Sequence, residues 1–406
     1  MKILFIHQNF PGQFRHLAPA LVRQGHEVMA LVPRTDLASD WEGVRLAGYR
    51  IPGVNRADTH PWLVDLETKT LRGEGLFLRA LELRREGYTP DLVLAHPGWG
   101  ESLFVRDVWP AARLAIYCEF FYQAEGGDVG FDPEFPQDDA RAACRLRLKN
   151  ANHLLHMEAA HAGLAPTRWQ ASTFPAHFRQ KIEVVHDGID TMRVAPDASV
   201  SLTLNERLRL TRDDDIITFV NRNLEPYRGY HIFMRALPAI LAARPSARVF
   251  IVGGNDVSYG ARAPEGSSWR QIFLDEVKEK LDLSRVHFLG RIPYDSFVRL
   301  LQISTVHVYL TYPFVLSWSL MEAMSAGCAI VASATQPVEE VLVDGENGYL
   351  FPFFDSQALA ARVLELLADR EQGQRLGMSA RALMRQSYDL RSVCLPRQLA
   401  WVQSLV

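Results

Sequence analysis

Ile216 to Gly229 reads IITFVNRNLEPYRG, and Tyr230 to Ala243 continues as YHIFMRALPAILAA, shortly before Pro245. Ile216 to Val220 is a short apolar run rich in β-branched residues, the pattern of a buried strand. The segment after Gly229 carries apolar residues at helical spacing and ends before Pro245. Strand, polar loop and helix in that order make one unit of an open α/β sheet. Working outward, strands are expected at Arg248 to Val252, Val286 to Leu289, Val306 to Leu310 and Ala329 to Ala332. Helices are expected at Tyr294 to Ile303, Leu316 to Ala326 and Gln357 to Ala368. Such alternation implies parallel pairing through right-handed crossovers.

The same pattern opens the chain. Ile3 to Ile6 is apolar, Asn9-Phe10-Pro11-Gly12 reads as a turn, and Phe14 to Gln24 as a helix closed by Gly25. Strands follow at Glu27 to Val32, Asp91 to Ala95, Ala115 to Tyr117 and Glu183 to Val185. The expected fold class is α/β, with two Rossmann-like domains, residues 1–192 and 193–392, facing across a cleft. The last helix, 393–406, is expected to pack back on the first domain. Ligands of such sheets bind beyond the carboxyl ends of the strands, which predicts a shared site in the cleft. Gly253 to Arg270 is the longest unpatterned stretch of the second half, and loops of that length are usually functional or mobile.

Composition narrows the classes. The 406 residues are 48% apolar and 22% charged, which excludes a disordered or collagenous chain. Residues 1–200 hold 22 Lys and Arg against 25 Asp and Glu, and the remainder 22 against 22, so neither half is a nucleic-acid platform. No apolar run approaches the ~18–20 residues of a membrane span. The opening MKILFIHQNF is too short in apolar residues for a signal-peptide core, so a cytoplasmic protein is expected. Arg79, Arg84 and Arg85 are offset by Glu82 and Glu86, so no strongly basic amphipathic helix is visible, and peripheral membrane contact stays open. Cys118, Cys144, Cys328 and Cys394 are far apart and read as buried thiols.

Candidate residues cluster where strands end. Gly12 follows the first strand, where glycine lets backbone approach a ligand; a tight turn is the alternative. It is a single glycine, without the G-x-G-x-x-G fingerprint of a dinucleotide site. Arg222 and Arg228 follow the Ile216 to Val220 strand, and two guanidinium groups there can grip a diphosphate; surface salt bridging is the alternative. Val315, Leu316 and Ser317 would offer free N–H groups at a helix start. Glu322, a turn further on, needs a polar partner that ribose hydroxyls or a salt bridge would supply. Gly253 and Arg291 complete this set of candidate ligand contacts. His96 ends another strand of the first half. His153, His156 and His161 do not have zinc spacing, and Asp213 to Asp215 precedes its strand, at the wrong end for a ligand.

Taken together, these residues resemble the retaining family 4, or group 1, glycosyltransferases, whose fold is called GT-B. The family's paired basic residues correspond to Asn221-Arg222 and Arg228-Gly229, its acidic helix motif to Phe314 through Glu322-Ala323-Met324-Ser325-Ala326-Gly327. Its turn before the linker corresponds to His186-Asp187-Gly188-Ile189-Asp190, and its closing segment to Glu340, Asp344-Gly345 and Asn347-Gly348. In the first half, Gly12 and Gly25-His26-Glu27-Val28 also match. Two positions depart: the first glutamate of the acidic motif falls on Phe314, and the usual first-domain histidine is absent after Tyr117, where Glu119 stands. The resemblance implies retaining, metal-independent transfer of a sugar from a nucleotide diphosphate donor such as a UDP or GDP sugar to a hydroxyl of a glycan, lipid-linked or other acceptor, with no cofactor. Arg222, Arg228, Glu119 and His96 are the expected catalytic residues. A noncatalytic binder of nucleotide sugars or glycans and an epimerase of the same fold are the alternatives.

Overall fold

The computed structural model describes residues 1–34, 36, 38–136, 141–204 and 208–406, which form two compact units: Met1–Gly188 with Arg391–Val406, and Ile189–Leu390. The expected boundary at 192 lies a few residues beyond the observed one. In the first unit the strands are β1 (Lys2–Ile6), β2 (Glu27–Val32), β3 (Asp40–Trp41), β4 (Val44–Gly48), β5 (Leu92–Ala95), β6 (Arg113–Tyr117), β7 (Ala162–Ala165) and β8 (Ile182–Val184). They make one sheet in the order β3-β4-β2-β1-β5-β6-β7-β8, parallel apart from the β3–β4 pair. Buried apolar residues alternate to its two faces: Leu4, Ile6, Val93 and Ile116 pack on one side, Ile3, Phe5, Leu92 and Ala115 on the other. The C-terminal helix Leu395–Ser404 closes the second face, burying Val402 against that core.

The second unit begins with a short hairpin, β9 (Leu202–Leu204) and β10 (Leu208–Leu210). Its main sheet holds β11 (Ile216–Asn223), β12 (Arg248–Gly254), β13 (Val286–Gly290), β14 (Val306–Tyr309), β15 (Ala329–Ser333) and β16 (Tyr349–Phe351). The order is β13-β12-β11-β14-β15-β16 and every pairing is parallel. The helix Tyr230–Ala243 packs on one face, where Phe233 stacks on Phe219 at 4.4 Å between ring centroids. On the other face Ile216, Val220, Phe250 and Val252 join Leu320, Met321 and Met324 of the helix Trp318–Ser325.

Three elements differ from expectation, and so does one thiol: Cys144, read as buried, is exposed. The first helix runs Leu17–Arg23 instead of Phe14 to Gln24, because Gly12–Phe14 forms a separate tight turn. The helix expected from Leu316 starts at Trp318, since Ser317 is its extended N-cap. β11 continues to Asn223 through an irregularity in its pairing with β12, which leaves Arg222 exposed between the buried Asn221 and Asn223. Both sheets reverse their strand order at a definable point, between β1 and β5 in the first unit and between β11 and β14 in the second. Loops leaving adjacent strands in opposite directions open a crevice there, and it is at such points that open α/β sheets bind ligands. Among the described residues no helix is long and apolar enough to cross a membrane.

Candidate functional site

Around the first switch point the sequence places His7 directly after β1, His96 directly after β5 and Glu119 two residues after β6. They form one row, hydrogen-bonded from His7 through Gln13 to Glu119, with His96 in contact with the Glu119 carboxylate. The Asn9 N–H donates to His7 Nδ1 at 2.9 Å, so a neutral His7 carries its proton on Nε2 and donates it to Gln13 Oε1 at 2.7 Å. Gln13 Nε2 in turn donates to Glu119 Oε1 at 3.0 Å. His96 Nδ1 accepts from the Gly98 N–H at 3.2 Å, which turns its Nε2 toward Glu119 Oε2, 3.4 Å away. The row is walled by aromatic rings: Trp99 lies 4.6 Å from His96, and Tyr117 stacks on its other side at 5.6 Å. Tyr117 Oη donates to both carboxylate oxygens of Asp187, at 2.9 and 3.0 Å.

The electrostatics separate the two ends of the row. Burial, reinforced by the neighbouring His96, pulls His7 down to about 3, so it is neutral at physiological pH. For Glu119 burial opposes ionisation, but His96, His7 and the Gln13 amide outweigh it and hold the carboxyl below its ordinary value. Its side chain keeps 39% exposure, against 3% for His96. Glu119 is therefore an ionised, reachable carboxylate, and His96 and His7 are the groups behind it. The Gln170 side chain fixes the Glu119 carbonyl at 2.7 Å, which sets the direction of the residue.

His7, Gln13, Trp99, Tyr117 and Asp187 were not singled out from the sequence as site residues. The available signal was positional, since His7 is the first residue past a buried strand. Gly12 is where expected, with a different reason: its φ is +48°, and a Cβ there would stand 2.4 Å from the His7 ring. Glycine makes room for the imidazole. His153, His156 and His161 are not gathered as a ligand set; His156 bonds Ser102 Oγ and the Asn152 carbonyl, and His161 Nδ1 accepts from the Leu114 N–H.

At the second switch point Arg222 and Arg228 play unequal parts. Arg222 is exposed and, among the described residues, its guanidinium has no hydrogen-bond or ion-pair partner. Arg228 is 4% exposed, and its Nη1 lies 2.7 Å from Thr311 Oγ1, 3.0 Å from the Val315 carbonyl and 3.1 Å from Tyr309 Oη. The expectation of two equivalent, open guanidinium groups is corrected: one edge of Arg228 ties the loop after β14 to the loop after β11. The tie is needed because a buried guanidinium without acceptors is costly.

The helix start is also partly used. Ser317 N–H donates to Tyr309 Oη at 3.0 Å, and the Ser319 N–H donates to Ser317 Oγ at 3.2 Å. Ser317 is thus a cap, so the expected free N–H at that position is withdrawn; among the described residues the N–H groups of Val315 and Leu316 have no partner. Glu322 accepts from Tyr294 Oη at 2.6 Å, so one polar partner comes from the protein itself. Arg291 reaches Asn223 Oδ1 at 3.2 Å and Asp256 at 3.0 Å. Gly253 is buried, and a Cβ would meet Leu224 at 2.7 Å, so packing explains it and the expectation of a ligand contact is replaced. The long loop after β12 is held by the buried Glu225, whose carboxylate accepts from the N–H groups of Ser258, Tyr259 and Gly260 at 3.0–3.2 Å. Phe314 is 5% exposed, packed by Tyr227 and Tyr259 at 5.4 and 5.1 Å. Asp214 and Asp215 are used in a turn and in an ion pair to Arg370 at the amino end of β11.

Two parallel α/β sheets with polar clusters at their switch points define a GT-B protein. The first part of the chain, residues 24–194, matches a family described as "Glycosyl transferase family 4 group", and residues 203–383 match "Glycosyl transferases group 1"; the chain belongs to this family of glycosyltransferases. It is 31% identical over 177 residues to a phosphatidyl-myo-inositol mannosyltransferase of Mycolicibacterium smegmatis, covering 42% of this chain and 40% of that one. It is 22% identical over 292 residues to a lipopolysaccharide 1,2-N-acetylglucosaminetransferase of Salmonella typhimurium, covering 71% and 66%. The chain thus spans well under the full length of the relatives it matches. Among solved structures, sucrose-phosphate synthase from Thermosynechococcus elongatus superposes with a TM-score of 0.74 at 18% identity, over 100% of this chain and 99% of that one. HepE of Anabaena, solved with UDP and glucose, gives 0.68 at 18% identity over 100% of both chains. Likeness at that identity speaks for the fold alone.

Two outcomes follow for the isolated protein. Arg228→Ala leaves the Tyr309, Thr311 and Val315 acceptors without their donor and lowers stability by about 2–4 kcal/mol, whereas Arg222→Ala leaves the melting temperature unchanged; differential scanning fluorimetry of both variants checks the contrast. In a proton NMR titration the His7 ring stays in its neutral form down to pH 5. Because its folded value is lowered from 6.5 to about 3, the unfolded chain binds that proton first, and the stability His7 contributes is lost as pH falls through this window. A His7 midpoint near 6.5 contradicts the buried row.

Proposed function

We propose that this chain is a retaining glycosyltransferase that moves a sugar from a nucleoside diphosphate sugar to a hydroxyl acceptor without a metal ion. The second unit holds the donor and the first the acceptor. The bond from the anomeric carbon to the diphosphate oxygen breaks, and a bond to the acceptor oxygen forms on the same face. The barrier lies in separating an oxocarbenium-like sugar from a diphosphate that gains a further negative charge as it leaves, so fixed positive charge at the diphosphate is the largest lever available to the protein. One observation carries the reading: Arg222, exposed and without a partner among the described residues beyond β11, with the N–H groups of Val315 and Leu316, likewise without a described partner, beyond the neighbouring β14. Those groups and Arg228 take the charge that a metal ion would otherwise neutralise. Glu322 and Arg291 hold the nucleoside, and Glu119, with His96 behind it, orients the acceptor hydroxyl.

Family membership supports transfer chemistry, and UDP in the solved HepE complex makes UDP sugars, then GDP sugars, the first donors to test. The acceptor is a glycan or a lipid-linked or other hydroxyl compound of polysaccharide or glycoconjugate synthesis. We place the reaction in the cytoplasm, at the inner face of the membrane when the acceptor is lipid-linked. A second reading, a binder of nucleotide sugars without turnover, draws on Phe314, an aromatic packed where the family has its first motif glutamate. Consumption of nucleotide sugar with and without acceptor separates the readings: transfer needs an acceptor, epimerisation does not, and a binder consumes nothing.

Arg222→Ala is expected to lower kcat by ~10²- to 10³-fold at unchanged stability, the scale of removing one donor to transition-state charge. Steady-state kinetics decide it; activity within threefold of the parent removes Arg222 from the leaving-group role. Glu119→Gln is expected to lower transfer by ~10²-fold or more while calorimetry shows nucleoside diphosphate binding unaltered, since the two groups lie in different units. Weakened nucleotide binding in that variant would exclude an acceptor role.

A further inference from the structure

Beside the His7 row the first unit contains a cavity of about 420 Å³ lined by Gln8, Asn9, Phe10, Pro33, Arg34, Ile51 and Arg72. Gln8 and Asn9 follow His7 without interruption, Asn9 being the residue whose N–H fixes the His7 tautomer. The cavity therefore opens within two residues of the row that ends at Glu119. Two arginines face it, and neither is neutralised in the ordinary way. The exposed Arg34 guanidinium has no hydrogen bond or ion pair among the described residues. Arg72 is only loosely balanced: its Nη1 lies 3.7 Å from Glu101 Oε1, beyond hydrogen-bond distance, and both Glu101 oxygens are buried without a hydrogen-bond partner. Gln8 Oε1 is likewise buried without a partner. Phe10, Pro33 and Ile51 supply an apolar wall.

A concave site of this volume, with two guanidinium groups and an amide on an apolar wall, matches the makeup of a small-molecule site that selects an anion. A neutral sugar would leave the Arg34 charge unanswered and Arg72 balanced by Glu101 alone, at 3.7 Å. We propose that this cavity holds an anionic group, phosphate or carboxylate, carried by the acceptor, with Arg34 and Arg72 as its clamp. The acceptor's reacting hydroxyl then extends along Gln8 and Asn9 to Glu119. This rests on the acceptor role proposed for the first unit and narrows it to a class: a polyol or sugar bearing a negative charge a few atoms from the hydroxyl that is glycosylated. The charge can belong to a soluble compound or to a lipid headgroup.

The test is calorimetry on the full chain with myo-inositol 1-phosphate, glucuronate and neutral myo-inositol, and flotation with phosphatidylcholine vesicles with or without phosphatidylinositol. UDP and GDP are titrated into the same preparations. At least one anionic probe is expected to bind tenfold or more tightly than neutral myo-inositol. Arg34→Ala is expected to weaken that probe by roughly tenfold or more, the scale of one charged hydrogen bond, without changing the melting temperature or nucleotide binding. Arg72→Ala can disturb Glu101, so Arg72→Lys, which keeps the charge and loses the fork, serves as the second variant and is expected to bind the probe at intermediate strength. Binding of inositol phosphate or glucuronate alone assigns a soluble acceptor; phosphatidylinositol-dependent flotation lost in Arg34→Ala assigns a headgroup. Equal affinity for neutral and anionic probes, no binding of any probe, or anion binding indifferent to Arg34 overturns the proposal. Failure of UDP, GDP and their sugars to bind or turn over counts against the glycosyltransferase reading instead and leaves the anion titration to be judged by itself.

Discussion

The second unit depends on one buried cation. Arg228, with Nη1 against Tyr309, Thr311 and Val315, bridges the loops leaving β11 and β14, the two strands between which the sheet reverses its order. In a medium of low dielectric these contacts are strong, and losing any of them leaves a polar group stranded, so the loops have one arrangement. That arrangement has further consequences. The Tyr309 hydroxyl that meets Arg228 also takes the Ser317 N–H and thereby sets where the helix Trp318–Ser325 begins. Tyr259 lies over the guanidinium at 5.1 Å and is itself held by Glu225. Arg222, six residues earlier, is exposed and has no side-chain partner among the described residues.

The first unit uses a different constraint. There, hydrogen-bond direction is passed from an Asn9 N–H through His7 and Gln13 to Glu119, each step dictating the donor of the next. Burial keeps His7 neutral, and only a neutral ring can both accept from Asn9 and donate to Gln13. The result is a carboxylate held ionised and partly open to solvent, with a second imidazole 3.4 Å from its other oxygen. The space needed by His7 explains why residue 12 is glycine, a position that sequence reading explains by ligand approach.

Most strands were legible in the sequence, and fewer of the helices. Glu27–Val32, Tyr230–Ala243 and Tyr294–Ile303 carry periodicity strong enough to mark both ends. Some of those not anticipated are short: Ala162–Ala165 reads AGLA and Asp40–Trp41 has two residues, too little for any period to register. Others are long, the helices Val64–Arg85, Ala142–Ala159 and Arg370–Ser387, which the sequence reading did not place. The motif residues were legible in kind, since Arg, Glu and Gly at strand ends are unusual enough to notice. Their duties were not, because Arg222 and Arg228 look equivalent on paper.

What the sequence by itself determined is the alternation of strand and helix, the restart of that pattern near residue 216, and the concentration of polar residues just past strands. These are local properties, readable from period and from the chemistry of short segments. Tertiary structure alone decided which polar groups are satisfied by protein and which are left for a ligand. Gly253 packs on Leu224, Ser317 caps a helix, Phe314 joins Tyr227 and Tyr259, and Arg34 and Arg72 line one cavity although 38 positions separate them in the chain. Whether a charge is buried and bonded or exposed and unpaired depends on atoms brought from distant segments by strand order, and strand order is not written in any single segment.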